Sequence, residues 1–261
     1  MTTKMKSWLN IGLLLVTLLV NFLGASGLIN GMSQADVSAK YPTLITPAGF
    51  TFSIWGVIYS LLLIATLWMA KNVTQRQTKQ LIENISPHIW LTLTSNMIWI
   101  ILFSFELIGL STIFILIYLL GLIAILMKLK SWNGDGKWFY SLAFGLNTGW
   151  LLIASLVNIA AYLVKIDWSG FGIGENIWAG IAIVIAIVMT WLISNFTKNA
   201  VLGLPVAWAF FGIWQALNQN GNYVTLVISS IVGIFILFCI VIRQFIKNGY
   251  NIVPKVSSEI K

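Results

Sequence analysis

The chain has 261 residues, of which 59% are hydrophobic and only 8% are charged, and its net charge is +8. A soluble domain carries about 25% charged residues, so the composition excludes a soluble globular protein and indicates an all-α polytopic membrane protein, since no stretch alternates like a barrel strand. One cysteine and one histidine exclude a disulfide framework and a histidine-rich metal cluster.

Eight apolar stretches are long enough to form transmembrane helices, which need about 20 residues each. They are residues 8–29, 50–70, 85–107, 111–127, 139–164, 177–196, 200–217 and 223–245. The first stretch could be a signal peptide, since residues 24–27 are small, but its length favours an uncleaved helix. Residues 30–46 are predicted to be a polar first loop and residues 71–84 a charged loop. Pro47 opens the second helix, where a first turn tolerates proline.

The basic residues test this number of helices. Eight spans put both termini on one side, and 13 of the 15 basic residues then fall on that side. These are Lys4, Lys6, Lys71, Arg76, Lys79, Lys128, Lys130, Lys137, Lys198, Arg243, Lys247, Lys255 and Lys261. Only Lys40 and Lys165 fall on the other side. Because short cytoplasmic loops are rich in Lys and Arg, we predict a cell-membrane protein with both termini in the cytoplasm. This placement explains the positive charge without a nucleic-acid partner.

Three predicted helices carry tryptophan beside hydrogen-bonding residues on one face, at helical spacing. The candidate ligand-binding residues are Phe52, Trp55 and Tyr59 in the second helix, Asn96, Trp99 and Phe103 in the third, and Asn147, Trp150, Ala154 and Asn158 in the fifth. If these faces converge, they line an aromatic pocket with a few polar anchors, which suits a flat, largely apolar ligand. The alternative is that the aromatic residues only pack and the asparagines only bond between helices.

Three further features concern packing and chemistry. Gly145 and Gly149 form a small-xxx-small pattern that indicates close helix packing or dimerisation. Glu106 is interpreted as a solvated or capping residue at the outer end of the third helix. Phosphate-loop, nucleophile-elbow and metalloprotease motifs are absent from the sequence, so no catalytic residue and no metal ligand are predicted.

The three faces resemble motifs of the translocator protein family, also called tryptophan-rich sensory proteins or TspO/MBR. The matching residues are Pro47, Trp55 and Tyr59, then Asn96, Trp99 and Phe103, and finally Trp150, Ala154 and Asn158. The resemblance covers about residues 1–165, which we predict to be a five-helix TspO-like bundle. Residues 166–261 would form a three-helix extension with a basic tail, and they resemble the extension of a longer bacterial subgroup that shares the segment at residues 46–56.

The resemblance implies a pocket under the first loop that binds porphyrins or other flat hydrophobic molecules. Trp55, Trp99 and Trp150 would be wall residues, and Asn96 and Asn158 would be polar anchors. No cofactor would be required, although a tetrapyrrole could be bound as a ligand. The partners would be the lipid bilayer and this small molecule. The family's usual homodimer stays open, because the extension could replace the second copy.

Three hypotheses for the function follow. The first is a bacterial membrane binding or sensory protein for a hydrophobic small molecule of tetrapyrrole type. The second is a transporter for a small metabolite, with Pro205 breaking the seventh helix to form a gate. The third is an enzyme that degrades a bound porphyrin.

Overall fold

The computed structural model describes residues 1–221 and 223–255, and every long element within them is a helix. The α-helices are α1 (Thr3–Ala25), α2 (Gln34–Lys40), α3 (Ile54–Lys71), α4 (Arg76–Ser104), α5 (Ile108–Ser131), α6 (Lys137–Lys165), α7 (Glu175–Thr197), α8 (Gly203–Asn220) and α9 (Val224–Lys247). Short 3₁₀ turns, Gly49–Ser53 and Gly170–Gly172, precede α3 and α7. The predicted all-α class is confirmed. The end of the predicted basic tail, residues 256–261, lies outside the described residues.

Within the described residues, seven helices are long and apolar enough to cross a membrane: α1, α3 with its preceding turn, α4, α5, α6, α7 and α9. The other predicted span, α8, has 18 residues and ends in the polar residues 218–220. Nδ2 of Asn248, just after α9, donates to the carbonyl oxygen of Lys198, just before α8, at 2.8 Å. The end of α9 therefore lies beside the start of α8. Since α9 is long enough to cross a membrane, α8 also runs the length of the bundle. A helix of this length spans about 27 Å, close to the hydrocarbon thickness of a bilayer.

The first five long helices form a closed ring in the spatial order α1, α4, α5, α6 and α3. The remaining three lie against one flank of this ring. Of these, α8 packs on α6 and on the turn before α3, α7 packs on α5 and α6, and α9 packs on α7 and α8. The helix α6 therefore lies between the ring and the extension, and its side chains are buried on nearly every side.

Contacts at one end of the bundle show where the terminal segments lie. Successive long helices alternate in direction, so α1, α4 and α6 begin at the same end. There, Lys6 pairs with Glu83, and Nζ of Lys137 donates to the carbonyl oxygen of Pro254, 3.0 Å away. The N-terminal segment and the described part of the C-terminal segment therefore lie at one end, as the charge count predicts. Which compartment that end faces remains a prediction.

Three local expectations from the sequence are wrong. The predicted charged loop 71–84 is mostly helix, because α4 already begins at Arg76; hydropathy marks the membrane boundary, and a helix can continue beyond it. The first loop contains α2, whose start is fixed by a capping box between Ser33 and Asp36. Pro205 does not break a helix, since it lies in the first turn of α8, where its missing N–H costs little.

Candidate ligand-binding site

The indole rings of α3, α4 and α6 converge at one level of the five-helix ring. The centroid of Trp55 lies 6.3 Å from that of Trp99 and 6.1 Å from that of Trp150, and the contact with Trp150 is edge-to-face at 85°. Phe52 makes a second edge-to-face contact with Trp150 at 6.0 Å. Trp150 is only 2% exposed. The three aromatic faces, whose convergence the sequence leaves open, therefore meet at this level of the ring.

A cavity of about 70 Å³ lies between these rings and the first loop. It is lined by Gln34, Ser38, Pro47, Phe52, Trp55, Trp99, Phe103, Trp150, Ile153, Ala154, Val157, Asn158 and Ala161. Seven of the ten predicted site residues are therefore in its wall: Phe52, Trp55, Trp99, Phe103, Trp150, Ala154 and Asn158. None of the residues that the described chain contributes to the wall is charged.

The other three predicted residues, Tyr59, Asn96 and Asn147, do not line the cavity. The hydroxyl of Tyr59 donates to Oδ1 of Asn21 at 2.7 Å, Nδ2 of Asn21 donates to Oδ1 of Asn96 at 3.1 Å, and Nδ2 of Asn96 donates back to the Tyr59 oxygen at 3.2 Å. Nδ2 of Asn147 donates to the oxygen of Tyr118 at 2.9 Å. These bonds satisfy the polar groups inside the bundle.

This polar layer takes one residue from each helix of the ring: the buried Asn96, Tyr118 and Asn147 and the half-buried Asn21 and Tyr59. Its three predicted site members, Tyr59, Asn96 and Asn147, lie three or four residues along their helices from the cavity tryptophans, on the side away from the first loop. Trp55 stacks on Tyr59 with 5.0 Å between centroids and 14° between planes. The layer therefore supports the floor of the cavity, and Asn96 is not placed to be the ligand anchor that the resemblance implied.

Asn158 lines the cavity, but its amide is already engaged. Its Oδ1 accepts from the indole N–H of Trp99 at 3.1 Å, and its Nδ2 donates to Oγ1 of Thr112 at 2.6 Å and to Oγ of Ser111 at 3.2 Å. Asn158 therefore fixes the orientation of the Trp99 ring. Both ends of its amide are therefore bonded within the bundle.

Two polar groups of the wall have no hydrogen-bond partner in the described structure: Nε1 of Trp150 and Nε2 of Gln34, both buried. Both are donors, and a buried donor without a partner costs about 1–3 kcal/mol. A ligand that brought an acceptor, such as a carbonyl, carboxylate or ring nitrogen, would recover this free energy.

Six lining residues were not predicted from the sequence: Gln34, Ser38, Pro47 as a wall residue, Ile153, Val157 and Ala161. Ile153, Val157 and Ala161 lie three or four residues from the predicted site residues of α6. The helical spacing could therefore have identified them. Gln34 and Ser38 were assigned to an irregular loop, although the capping-box pattern of residues 33–36 signals a helix there.

The first loop is tied to the ring by a cluster of polar contacts at its outer end. Nζ of Lys40 donates to both carboxylate oxygens of Glu106, at 2.7 and 2.9 Å, and the hydroxyl of Tyr41 donates to Glu106 at 2.6 Å. Nζ of Lys165 donates to the backbone carbonyl oxygen of Glu106. The hydrogen bonds from Lys40 and then Tyr41 hold the pKa of the Glu106 carboxyl below its ordinary value. Glu106 is thus an anchor for the loop, beyond the solvated or capping role that was predicted.

A second, larger cavity of about 460 Å³ lies between the N-terminal halves of α7 and α9. Its wall includes Ile177, Gly180, Val184, Leu226 and Ser229. Its lining residues include none of the indole rings, so it differs in chemistry from the cavity under the first loop.

The fold and the site define a class: a polytopic helical membrane protein with an aromatic interhelical cavity, as in proteins that bind or sense small molecules. The chain belongs to the TSPO-like protein family, whose sequence profile matches residues 7–243. The match includes most of the three-helix extension, so the likeness is not limited to residues 1–165, and the division into two domains stays a prediction. No curated protein and no solved structure matches the chain.

Proposed function

We propose that the protein binds a flat hydrophobic small molecule of tetrapyrrole type in the aromatic cavity under the first loop. It would do so in the cell membrane, with both termini in the cytoplasm. The observation that carries the proposal is the convergence of Trp55, Trp99 and Trp150 around one cavity that contains an unpartnered indole N–H. The ring faces offer stacking area, and the free donors favour a ligand with acceptor atoms.

The size of the cavity sets a condition on this function. Pockets for drug-sized ligands usually have volumes of about 300–1,000 Å³, several times the 70 Å³ seen here. A porphyrin therefore requires the first loop to move away from α4 and α6. We propose that the protein alternates between this closed form and an open form, and that the ligand shifts the population towards the open form. Such a shift is the physical basis of a sensor.

A titration with protoporphyrin, followed by tryptophan quenching in detergent, tests the proposal. We expect saturable binding that Trp55→Phe and Trp150→Phe each weaken by about tenfold, because each removes an indole contact worth roughly 1–1.5 kcal/mol. Trp178→Phe is the matched control, since this indole donates to the carbonyl oxygen of Gly170 in the extension and does not line the cavity. Quenching that does not saturate, or that is the same in all four proteins, would mean that protoporphyrin only partitions into the micelle.

A further inference from the structure

None of the described residues of the three-helix extension lines the aromatic cavity, yet the extension holds one side of that wall in place. We call residues 47–53 the α3 entry segment; it leads from the first loop into α3 and supplies Pro47 and Phe52 to the wall. The backbone N–H of Ala48 in this segment donates to the carbonyl oxygen of Gly212 in α8, at 3.1 Å. The indole N–H of Trp208, one turn earlier in α8, donates to the carbonyl oxygen of Thr51 at 2.9 Å.

Aromatic packing reinforces these two bonds. The Phe50 ring lies edge-on to Trp208 at 5.5 Å and to Phe211 at 5.8 Å. Phe50 is 47% exposed, so within the protein its ring depends on α8 for contacts. The entry segment is a single 3₁₀ turn, which is weak by itself. Its position is therefore set largely by α8.

Gly212 explains why α8 can approach the segment so closely. A Cβ atom at this position would collide with the Thr51 methyl group and would lie 3.0 Å from Cβ of Pro47. Thr51 is fully buried, so it has little room to move. The close approach thus depends on the absence of a side chain at residue 212.

On its other side, α8 is fixed to α6, which carries Trp150. Gly149 packs against the carbonyl oxygen of Leu202 and against Cγ of Pro205, and Gly145 packs against the Asn199 side chain. These glycines are the small-xxx-small pattern of the sequence, and here they face the extension of the same chain. The region of residues 199–212 therefore connects two walls of the cavity, one on α6 and one on the entry segment.

We propose that α8 is a positioning element of the ligand site, in which Trp208 and Gly212 hold the entry segment at the distance from α6 that sets Phe52 against Trp150. This inference rests on the proposed function for its ligand readout, and it extends that function by assigning a role to the extra helices. Trp208 and Gly212 act through the entry segment and touch no ligand.

Hydrogen exchange of the ligand-free protein tests the mechanical part of the inference. In Trp208→Phe, which keeps an aromatic ring but removes the bond to Thr51, we expect the amides of residues 48–53 to exchange about fivefold faster, as for the loss of one hydrogen bond. Gly212→Ala should act in the same direction. The matched controls are Trp178→Phe, which loses an equivalent indole–carbonyl bond, and Gly180→Ala, where a Cβ meets only Cδ2 of Leu226 at 3.9 Å. Exchange at residues 48–53 that stays at the wild-type rate in both α8 variants would overturn the inference.

The protoporphyrin titration of the same variants tests its functional part. We expect Trp208→Phe to raise the dissociation constant about fivefold while Trp178→Phe leaves it unchanged. If Trp150→Phe weakens binding but Trp208→Phe does not, the positioning role is overturned. If Trp208→Phe accelerates exchange and Trp150→Phe has no effect on binding, the proposed ligand site fails, and the mechanical link between α8 and the entry segment stands.

Discussion

Gly149→Ala should be among the most destabilising single-methyl changes in the chain. The added Cβ would collide with the backbone carbonyl oxygen of Leu202 and lie 2.7 Å from Cγ of Pro205. A backbone atom cannot change rotamer to make room, so α6 and α8 would have to separate. Overpacking of this kind costs about 1–3 kcal/mol, which we expect to lower the melting temperature by about 5 °C for a chain of this size.

The matched control is Gly12→Ala in the middle of α1, where an added Cβ has no neighbour within 4 Å. Alanine is a better helix former than glycine by about 1 kcal/mol, so this variant should be as stable as the wild type or more so. Melting curves of both variants in the same detergent give the comparison. Equal melting temperatures for Gly149→Ala and the wild type would mean that the backbones of α6 and α8 do not touch as described.

Glu106→Gln should speed the entry of protoporphyrin by about fivefold. The carboxylate of Glu106 holds Lys40 and Tyr41 at the end of α2, and the cavity below is too small for the ligand until this loop opens. An exposed ion pair makes only a modest contribution to stability, so its loss should raise the open population by a small factor, in line with this roughly fivefold change in rate. Stopped-flow quenching with excess protoporphyrin in the same micelles measures the association rate. Glu175→Gln, the same change on the same side of the bundle, is the control.

The same contacts predict a pH dependence. The pKa of Glu106 is lowered by Lys40 and Tyr41, so the closed form gains stability from these contacts above the ordinary carboxyl pKa. That stability is lost as the pH falls through the lowered value. The association rate of the wild type should therefore stay flat between neutral pH and the ordinary pKa of 4.5, and rise only below it. Glu106→Gln should lack this rise. A wild-type rate that changes with pH near neutrality, or a variant rate equal to the wild type, would contradict the role of the cluster.

The angular position of the site residues could be predicted from the sequence, but their depth could not. Asn147 and Asn158 point in nearly the same direction around α6, about 20° apart at 100° per residue. They are also 11 residues apart, about 16 Å along the axis, so one meets Tyr118 below the cavity floor while the other meets Trp99. Periodicity contains no information on where along a bundle a cavity begins, which is why Tyr59 and Asn96 share the predicted faces but do not line the cavity.

The helices themselves were largely predictable because burial in lipid requires long apolar stretches. The exceptions are helices that tertiary packing or capping stabilises. In α8 the apolar requirement is relaxed, since the ring, α7 and α9 surround much of the helix. In α2, a capping box stabilises a short helix that hydropathy cannot detect. The contact between Gly212 and the entry segment joins positions about 160 residues apart in the chain, and no local pattern at either position reveals the other.

We expect the ligand to occupy the cavity among Trp55, Trp99 and Trp150, and not the second, larger cavity between α7 and α9. Hydrogen exchange followed by mass spectrometry, with and without saturating protoporphyrin, tests it most directly. We expect altered exchange in α2 and the entry segment, and in the lining turns of α4 and α6 around Phe103 and Val157, with α7 and α9 unchanged. Protection confined to residues 176–185 and 225–229, or no change anywhere despite saturable binding, would contradict it.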